Sequence, residues 1–415
     1  MIHSSKYQPR IYPINGTGSP SEIDRAQSID PAVSLNRDKI QEIGNSDVVG
    51  HVKKSPSVTY RLSQLEYGSL EFWRKVTNKA DSVNTLTLDD FKTPTFDISA
   101  FLTDDDGTFR GTLLYPKLRT SGFSINIGDP DAIIERSFDL VGEEAVVWQG
   151  PNKYLIYVEH TAGSGSDNVV DLSTRVPAID PDVPTGKTNA EKYIYRIVRI
   201  RSGVSTELDL STDATYATGT QDVTIVSAQA ADIFKIWYTS ATAPAALFVP
   251  NTTDADALVA NAVSIYLYIP ASGSPSSSDY VYRLQSVTLD VSFDRQDVKE
   301  IGNKRVVQRG INNNKVSIKL GRILEQFTLE EILRGEAAGY GKIDVEKLTD
   351  NASLIVKIFS DDTKETLLYG FKADKLSPTD LSNGAGINAY VKADNTAEGE
   401  SLIISSDNAQ LGNLT

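Results

Sequence analysis

The hydrophobic positions of this chain fall mostly into short alternating runs. Val58, Tyr60 and Leu62 alternate with polar residues, as do Val316, Ile318 and Leu320, and each run predicts a strand with one buried face. Val33 and Leu35, then Ile40 and Ile43, alternate only in part and predict a strand with one irregularity. Gly44-Asn45 is a turn signal, after which Val48–Val52 returns as a strand and Lys53–Pro56 forms a loop. Further strands are predicted at Ile11–Ile14, Thr95–Thr103, Gly111–Leu118, Gly122–Ile127, Ala132–Leu140 and Glu144–Trp148. Asp104–Gly107 is a hairpin tip between two of them. Toward the C-terminus the pattern returns over Leu354–Ser360, Thr366–Leu376, Gly386–Ala393 and Ser401–Ser405.

Helical spacing is rare. Ser69–Lys75 and Thr328–Arg334 predict short helices, with Ser69 and Thr328 as N-caps and glutamates in the first turn. Leu329, Ile332 and Leu333 make one apolar face. In the middle of the chain, strands are predicted over Lys153–His160, Tyr193–Arg201, Ser205–Leu210, Val223–Ser227, Ile233–Ser240 and Ala246–Pro250. The Pro- and Asp-rich run Val176–Thr188 is a long exposed loop.

One patterned stretch occurs twice. Arg25–Asn45 reads RAQSIDPAVSLNRDKIQEIGN, and 258 positions later Arg283–Asn303 reads RLQSVTLDVSFDRQDVKEIGN, without a gap. Ten of the 21 positions are identical, among them Arg37/Arg295 and the run Glu42–Asn45/Glu300–Asn303. Random pairing matches about one position in twenty. The echo continues upstream at Gly18–Ser21/Gly273–Ser276 and downstream at Thr112–Tyr115/Thr366–Tyr369 and Gly142-Glu143/Gly399-Glu400. This is a duplication, and it divides the chain into a first copy over 1–150, an unmatched insert over 151–260 and a second copy over 261–415. The fold class is mainly β: two tandem β-sandwich or barrel domains, each with one short helix, plus an inserted sandwich of immunoglobulin-like size.

Composition narrows the function. The 415 residues carry a net charge of −14, spread along the chain, which argues against the basic stripes of a nucleic-acid binder. There is no cysteine, so disulfides and thiolate chemistry are excluded. The N-terminal MIHSSKYQPRIYPING has no apolar core of a signal peptide, and no run approaches a membrane span. His3, His51 and His160 stand in no metal-ligand spacing. Asp104–Gly107 lacks the spacing and closing Glu of a calcium loop, the glycine pairs lack the Lys of a phosphate loop, and no nucleophile elbow occurs. Carboxylate pairs of the kind that hydrolyse glycosides are a three-dimensional property and stay open here. No catalytic, cofactor or metal constellation emerges. The duplicated Glu-Ile-Gly-Asn is a turn by its glycine and asparagine. It is also a candidate inter-subunit contact, in which Glu42 or Glu300 meets a basic partner such as Arg37 or Arg295 of a neighbour, with Asn45 and Asn303 alongside.

The order of elements resembles the tail tube proteins of tailed bacteriophages and related contractile injection systems. The residues that carry the resemblance are Val33–Val49 with Ser69–Lys75, and Val291–Val307 with Thr328–Arg334. It covers about 300 residues and leaves out the insert; the doubling resembles tail tubes built from trimeric, pseudo-hexameric rings. The resemblance implies a virion tail assembled in the host cytoplasm, with stacked rings around a negatively lined bore through which DNA passes without specific binding. It implies as partners further copies of the chain, a tape-measure protein, and tail terminator and baseplate or distal tail proteins, with a sheath where the tail contracts. The loops Ser46–Ser57 and Lys304–Asn314 would reach the next ring, and the insert would project outside. Neither an enzymatic activity nor a membrane insertion is implied. The alternatives are a ring-forming baseplate or minor tail protein, a surface adhesin with tandem β-domains, and a β-sandwich carbohydrate-active enzyme.

Overall fold

A computed structural model describes residues 2–15, 20–23, 25–34, 37–41, 48–53, 57–104, 109–128, 131–142, 147–149, 154–163, 168–173, 177–178, 183–241, 263–268, 283–298, 308–324, 353–359, 366–372, 375–376, 380–383 and 390–406. The fold is mainly β, and every strand pairing in it is antiparallel.

The first copy contributes β1 (Ile2–Pro13), β2 (Ser21–Glu22), β3 (Ala26–Ser34), β4 (Arg37–Gln41), β5 (Val48–Lys53), β6 (Ser57–Leu65), helix α1 (Glu71–Val76) and β7 (Thr85–Thr87). It continues with β8 (Phe96–Asp104), β9 (Phe109–Ile127), β10 (Glu135–Gly142) and β11 (Val147–Gln149). The insert holds β12 (Tyr154–Thr161), β13 (Val169–Asp171), α2 (Asn189–Tyr193), β14 (Ile194–Arg201), β15 (Val204–Glu207), β16 (Ala214–Ala217), β17 (Asp222–Ile225) and β18 (Ile233–Ser240). The second copy contributes β19 (Val263–Tyr268), β20 (Leu284–Val298), β21 (Gln308–Ile323), β22 (Ser353–Phe359), β23 (Thr366–Lys372), β24 (Lys375–Leu376), β25 (Asp380–Asn383), β26 (Val391–Gly399) and β27 (Ser401–Ser405).

One continuous ladder runs β3-β6-β10-β9-β20-β21-β26, with β24 and β25 on the far side of β26. Alternation explains it: Tyr60, Leu62, Phe123, Ile125, Leu289, Val291, Ile318 and Leu320 are buried on one face, and the residues between them are polar. The N-terminal half of β9 leaves this ladder and pairs with β8 and β11 in a second layer. Lys117, at φ 49°, lies on β9 where the strand passes from one layer to the other. A further sheet, β19-β22-β23-β27, takes β7 of the first copy on its edge. The two copies share one hydrophobic core around Trp73, Phe123, Phe138 and Tyr369, whereas the insert has its own, built on Ile197, Val223, Phe234 and Ile236.

Several expectations shift in detail. Helix α1 begins at Glu71 with Leu70 as N-cap; the Ser69 hydroxyl accepts from the Glu71 amide instead. Gly111–Leu118 and Gly122–Ile127 are one strand, β9. Residues 308–314, expected as a loop, continue β21, and Val48–Lys53 is strand β5, as its pattern predicted, within the stretch Ser46–Ser57 that the resemblance made a loop. Within Val176–Thr188, Pro177 is buried and bridges Ser240, and Thr188 caps α2. Of the predicted strand Gly386–Ala393, residues 386–389 lie outside the described residues; β26 runs Val391–Gly399 and buries Ala393, Asn395 and Ala397. Gly44-Asn45, Ala246–Pro250 and Thr328–Arg334 lie outside the described residues.

Candidate assembly interface

The duplication is visible in the backbone, register by register. In the first copy β3 pairs with β6 so that Val33 faces Val58; in the second, β20 pairs with β21 so that Val291 faces Val316. Both hairpins carry the same bulge, at Gln27 and at Gln285. Just before it, Arg25 and Arg283 both hold a left-handed backbone, φ 56° and 57°, and each carbonyl accepts from the partner strand, at Leu65 and Ile323. A non-glycine residue in that region is uncommon, and its recurrence at matched positions is a property of the repeat. Farther along, Arg37 pairs with Lys53 as Arg295 pairs with Ile311.

The copies join head to tail. Strand β9 of the first pairs with β20 of the second, Ile127 facing Val287 through Gly122 facing Ser292. The approach is close: a Cβ on Gly122 would lie 2.7 Å from the Val291 carbonyl oxygen. Arg295 closes the seam from the second copy. Its guanidinium donates to three backbone carbonyls of the first: Thr120 (2.6 Å), Phe91 (2.9 Å) and Lys92 (3.2 Å). The seam is also tied through the core. Glu66 and Arg136 form a fully buried ion pair at 3.1 Å, and Tyr369 of the second copy donates its hydroxyl to Glu66 at 3.1 Å. Burial is the largest influence and opposes the Arg136 charge, but Glu66, Tyr67 and Tyr369 together outweigh it and raise its pKa. Burial, reinforced by Glu66, holds the Tyr369 phenol well above its usual range, so it remains a donor.

Of the residues singled out from sequence, Arg295 therefore sits at a junction between copies, with backbone carbonyls as its described acceptors. Arg37 lies at the matching backbone position. Glu42, Asn45, Glu300 and Asn303 fall outside the described residues.

The solvent face of the long ladder is polar, and small hydroxyl side chains recur on it. Ser63, Ser124, Ser137, Thr288, Ser317 and Thr396 recur along it. Charges of both signs stand among them in pairs, such as Lys315–Glu398 at 2.9 Å and Arg61–Asp139 at 3.9 Å. The face is thus no uniform wall of carboxylates, and it offers no basic stripe.

The insert docks on the second layer of the first copy through one buried constellation. Asp97 is fully buried and accepts from Arg196, from the Trp237 indole at 2.8 Å and from the Lys117 backbone amide at 2.9 Å. The left-handed backbone at Lys117 aims that amide. Lys235 of the insert donates to the Pro13 carbonyl at 2.6 Å, and burial lowers its pKa. Tyr12 packs edge-on against Trp237, 4.6 Å between centroids. Trp73 and Trp237 are both buried, Trp73 in the core shared by the copies and Trp237 at the interface between the insert and the first copy. Sequence reasoning missed this constellation.

Among the described residues no group of three His, Asp or Glu side chains is placed to hold a metal ion, and no helix is long and apolar enough to cross a membrane. His160 stacks on Phe234. No protein-family model matches this chain, and no curated protein matches it by sequence.

Proposed function

We propose that the protein is a structural subunit that polymerises as stacked rings into a phage tail tube. The observation that carries this reading is the head-to-tail seam, in which β9 of one copy continues into β20 of the next. Among the described pairings, a heterologous contact of this kind leaves the complementary edges, β3 and β25, at the two ends of the ladder, and repetition closes a ring when the rotation allows. The two copies then count as two of six positions, and three chains complete the ring. Continuing a ladder around a ring also removes exposed strand edges, which otherwise invite aggregation.

In this ring the polar face lines the bore. Its hydroxyls and paired charges give a phosphate backbone neither a basic stripe to bind nor an apolar patch to wet. The insert, held on the opposite layer by Asp97, stands outside as a peripheral lobe. DNA passes through, a tape-measure protein occupies the bore during assembly, and terminator and baseplate proteins cap the ends. A ring-forming baseplate protein shares every feature except the stacking. Negative-stain electron microscopy of concentrated protein separates the two: hollow tubes with lobes are expected, single rings would favour the baseplate reading, and dispersed particles at every concentration and salt would overturn both.

A further inference from the structure

The internal seam is one of two that a closed ring needs, and the pseudo-symmetry of the chain assigns the other. Strand β10 meets Ser124–Asn126 of β9 through Ser137–Glu135, and β26 meets Asp380–Ser382 of β25 through Asp394–Lys392 in the same register. Thr120 on β9 faces Leu140, and Leu376 on β24 faces Ala397 at the matching place. Thus β24 and β25 together occupy the place of the C-terminal half of β9. Among the described pairings, that half of β9 has β20 on its other side, whereas β25 has only β26. Correspondingly, β20 is flanked on both sides, and β3 has only β6.

We infer that β3 of one chain docks on β25 of a second copy, with Ile29 facing Asn383, Asp30 facing Ser382, Pro31 facing Leu381 and Ala32 facing Asp380, and that Arg37 clasps the neighbour's Leu376 carbonyl as Arg295 clasps Thr120. This rests on the ring reading above and commits it to one interface. Three observations support the assignment. Arg37 and Arg295 share one backbone register, and Arg is identical in both copies. Thr288 and Asn126, one cross-strand pair of the internal seam, are hydrogen-bonded at 3.3 Å; their counterparts Asp30 and Ser382 are an acceptor and a donor, both exposed in the single chain. Pro31 stands on an edge strand, where a missing N–H is tolerated. In sequence, Pro378 takes the place of Gly122, so the new ladder is confined to Asp380–Asn383 and the arginine clasp carries more of the contact.

The chain has no native cysteine, so engineered pairs report without background. Directly opposed cross-strand residues lie within disulfide reach. A double variant Asp30→Cys/Ser382→Cys, oxidised after assembly, is expected to give covalent dimers and trimers on non-reducing gels. Mixing Asp30→Cys chains with Ser382→Cys chains should give dimers only, and neither single variant should cross-link alone. Arg37→Ala should raise the concentration needed for assembly by about tenfold or more, the worth of a charge-assisted contact, with an unchanged unfolding midpoint. Arg295→Ala should lower that midpoint, because its clasp is internal. Assemblies that form yet never cross-link, or that cross-link in a single variant alone, overturn this interface and leave the ring. Chains that stay monomeric at every concentration sink the ring reading and this interface with it.

Discussion

Two junctions leave the first copy, and they are built on different principles. The seam to the second copy is a strand ladder capped by an arginine on main-chain carbonyls, so its parts are mostly backbone. A junction made of backbone can be repeated wherever the same strand order recurs, and the duplicated registers show that it does recur. The junction to the insert is made of side chains: a buried carboxylate, a guanidinium, an indole and an ammonium that fit one another. Among the described residues the second copy shows no equivalent. At the register where Tyr12 faces Asp97, Tyr268 faces Ser353, a hydroxyl in place of the carboxylate. The first kind of junction suits polymerisation, and the second anchors a unique appendage.

The sharpest way to break the comparison is Asp97→Leu. It leaves the Arg196 and Lys235 cations buried beside an apolar side chain and strips the Trp237 indole of its acceptor. Removing one partner from a buried charged cluster costs about 3–5 kcal/mol. The expected result is protease cleavage appearing between the insert and the first copy and, in the proposed rings, peripheral lobes that blur in electron micrographs. Lobes as sharp as in the unmodified protein would mean that the ladder, not Asp97, positions the insert.

A smaller effect is expected at the other junction. Tyr369→Phe removes the hydroxyl that the second copy gives to Glu66, while Arg136 continues to neutralise the carboxylate. A hydrogen bond to a charged group is worth about 1.5–3 kcal/mol. Chemical denaturation should show that loss in a single transition, since both copies share one core. The insert, with its own core, can unfold in a separate transition that the variant leaves in place; a variant that shifted only part of the transition of the copies would show that they fold independently and that the seam is looser than its ladder implies.

The ladder was legible in sequence because it obeys period two. Val58, Tyr60 and Leu62, and their counterparts Val316, Ile318 and Leu320, announce both face and register. The seam was not legible: the repeat suggested Arg37 and Arg295 as basic partners for Glu42 or Glu300 of a neighbouring subunit, whereas Arg295 donates to main-chain carbonyls within its own chain, and a side-chain-to-carbonyl clasp has no sequence signature for its acceptors. Only the start of strand β26 was foreseen, because VKADNTAEG looks like a polar loop although it buries Ala393, Asn395 and Ala397. Thr188 to Glu191 is a capping box, present in the sequence as Thr-x-x-Glu but hidden at the end of a proline-rich run. The insert junction left almost no trace. Asp97 reads as an ordinary polar position in an alternating strand, and its partners Arg196 and Trp237 are 99 and 140 residues away.

The finest distinction lies within the insert junction itself, between its buried centre and its rim. Lys117, whose amide serves Asp97 inside, sends its ammonium outward to Glu207 at the edge of the insert. Both side chains are partly exposed, 23% and 43%. Water and salt therefore screen the pair, and such bridges contribute about 0–1 kcal/mol. Glu207→Gln should shift the unfolding midpoint barely, and raising the salt concentration should erase even that difference. The lobes should stay sharp throughout. If Glu207→Gln released the insert as Asp97→Leu does, the anchoring would lie in the charged rim, and the insert would become a domain that salt can free from the first copy.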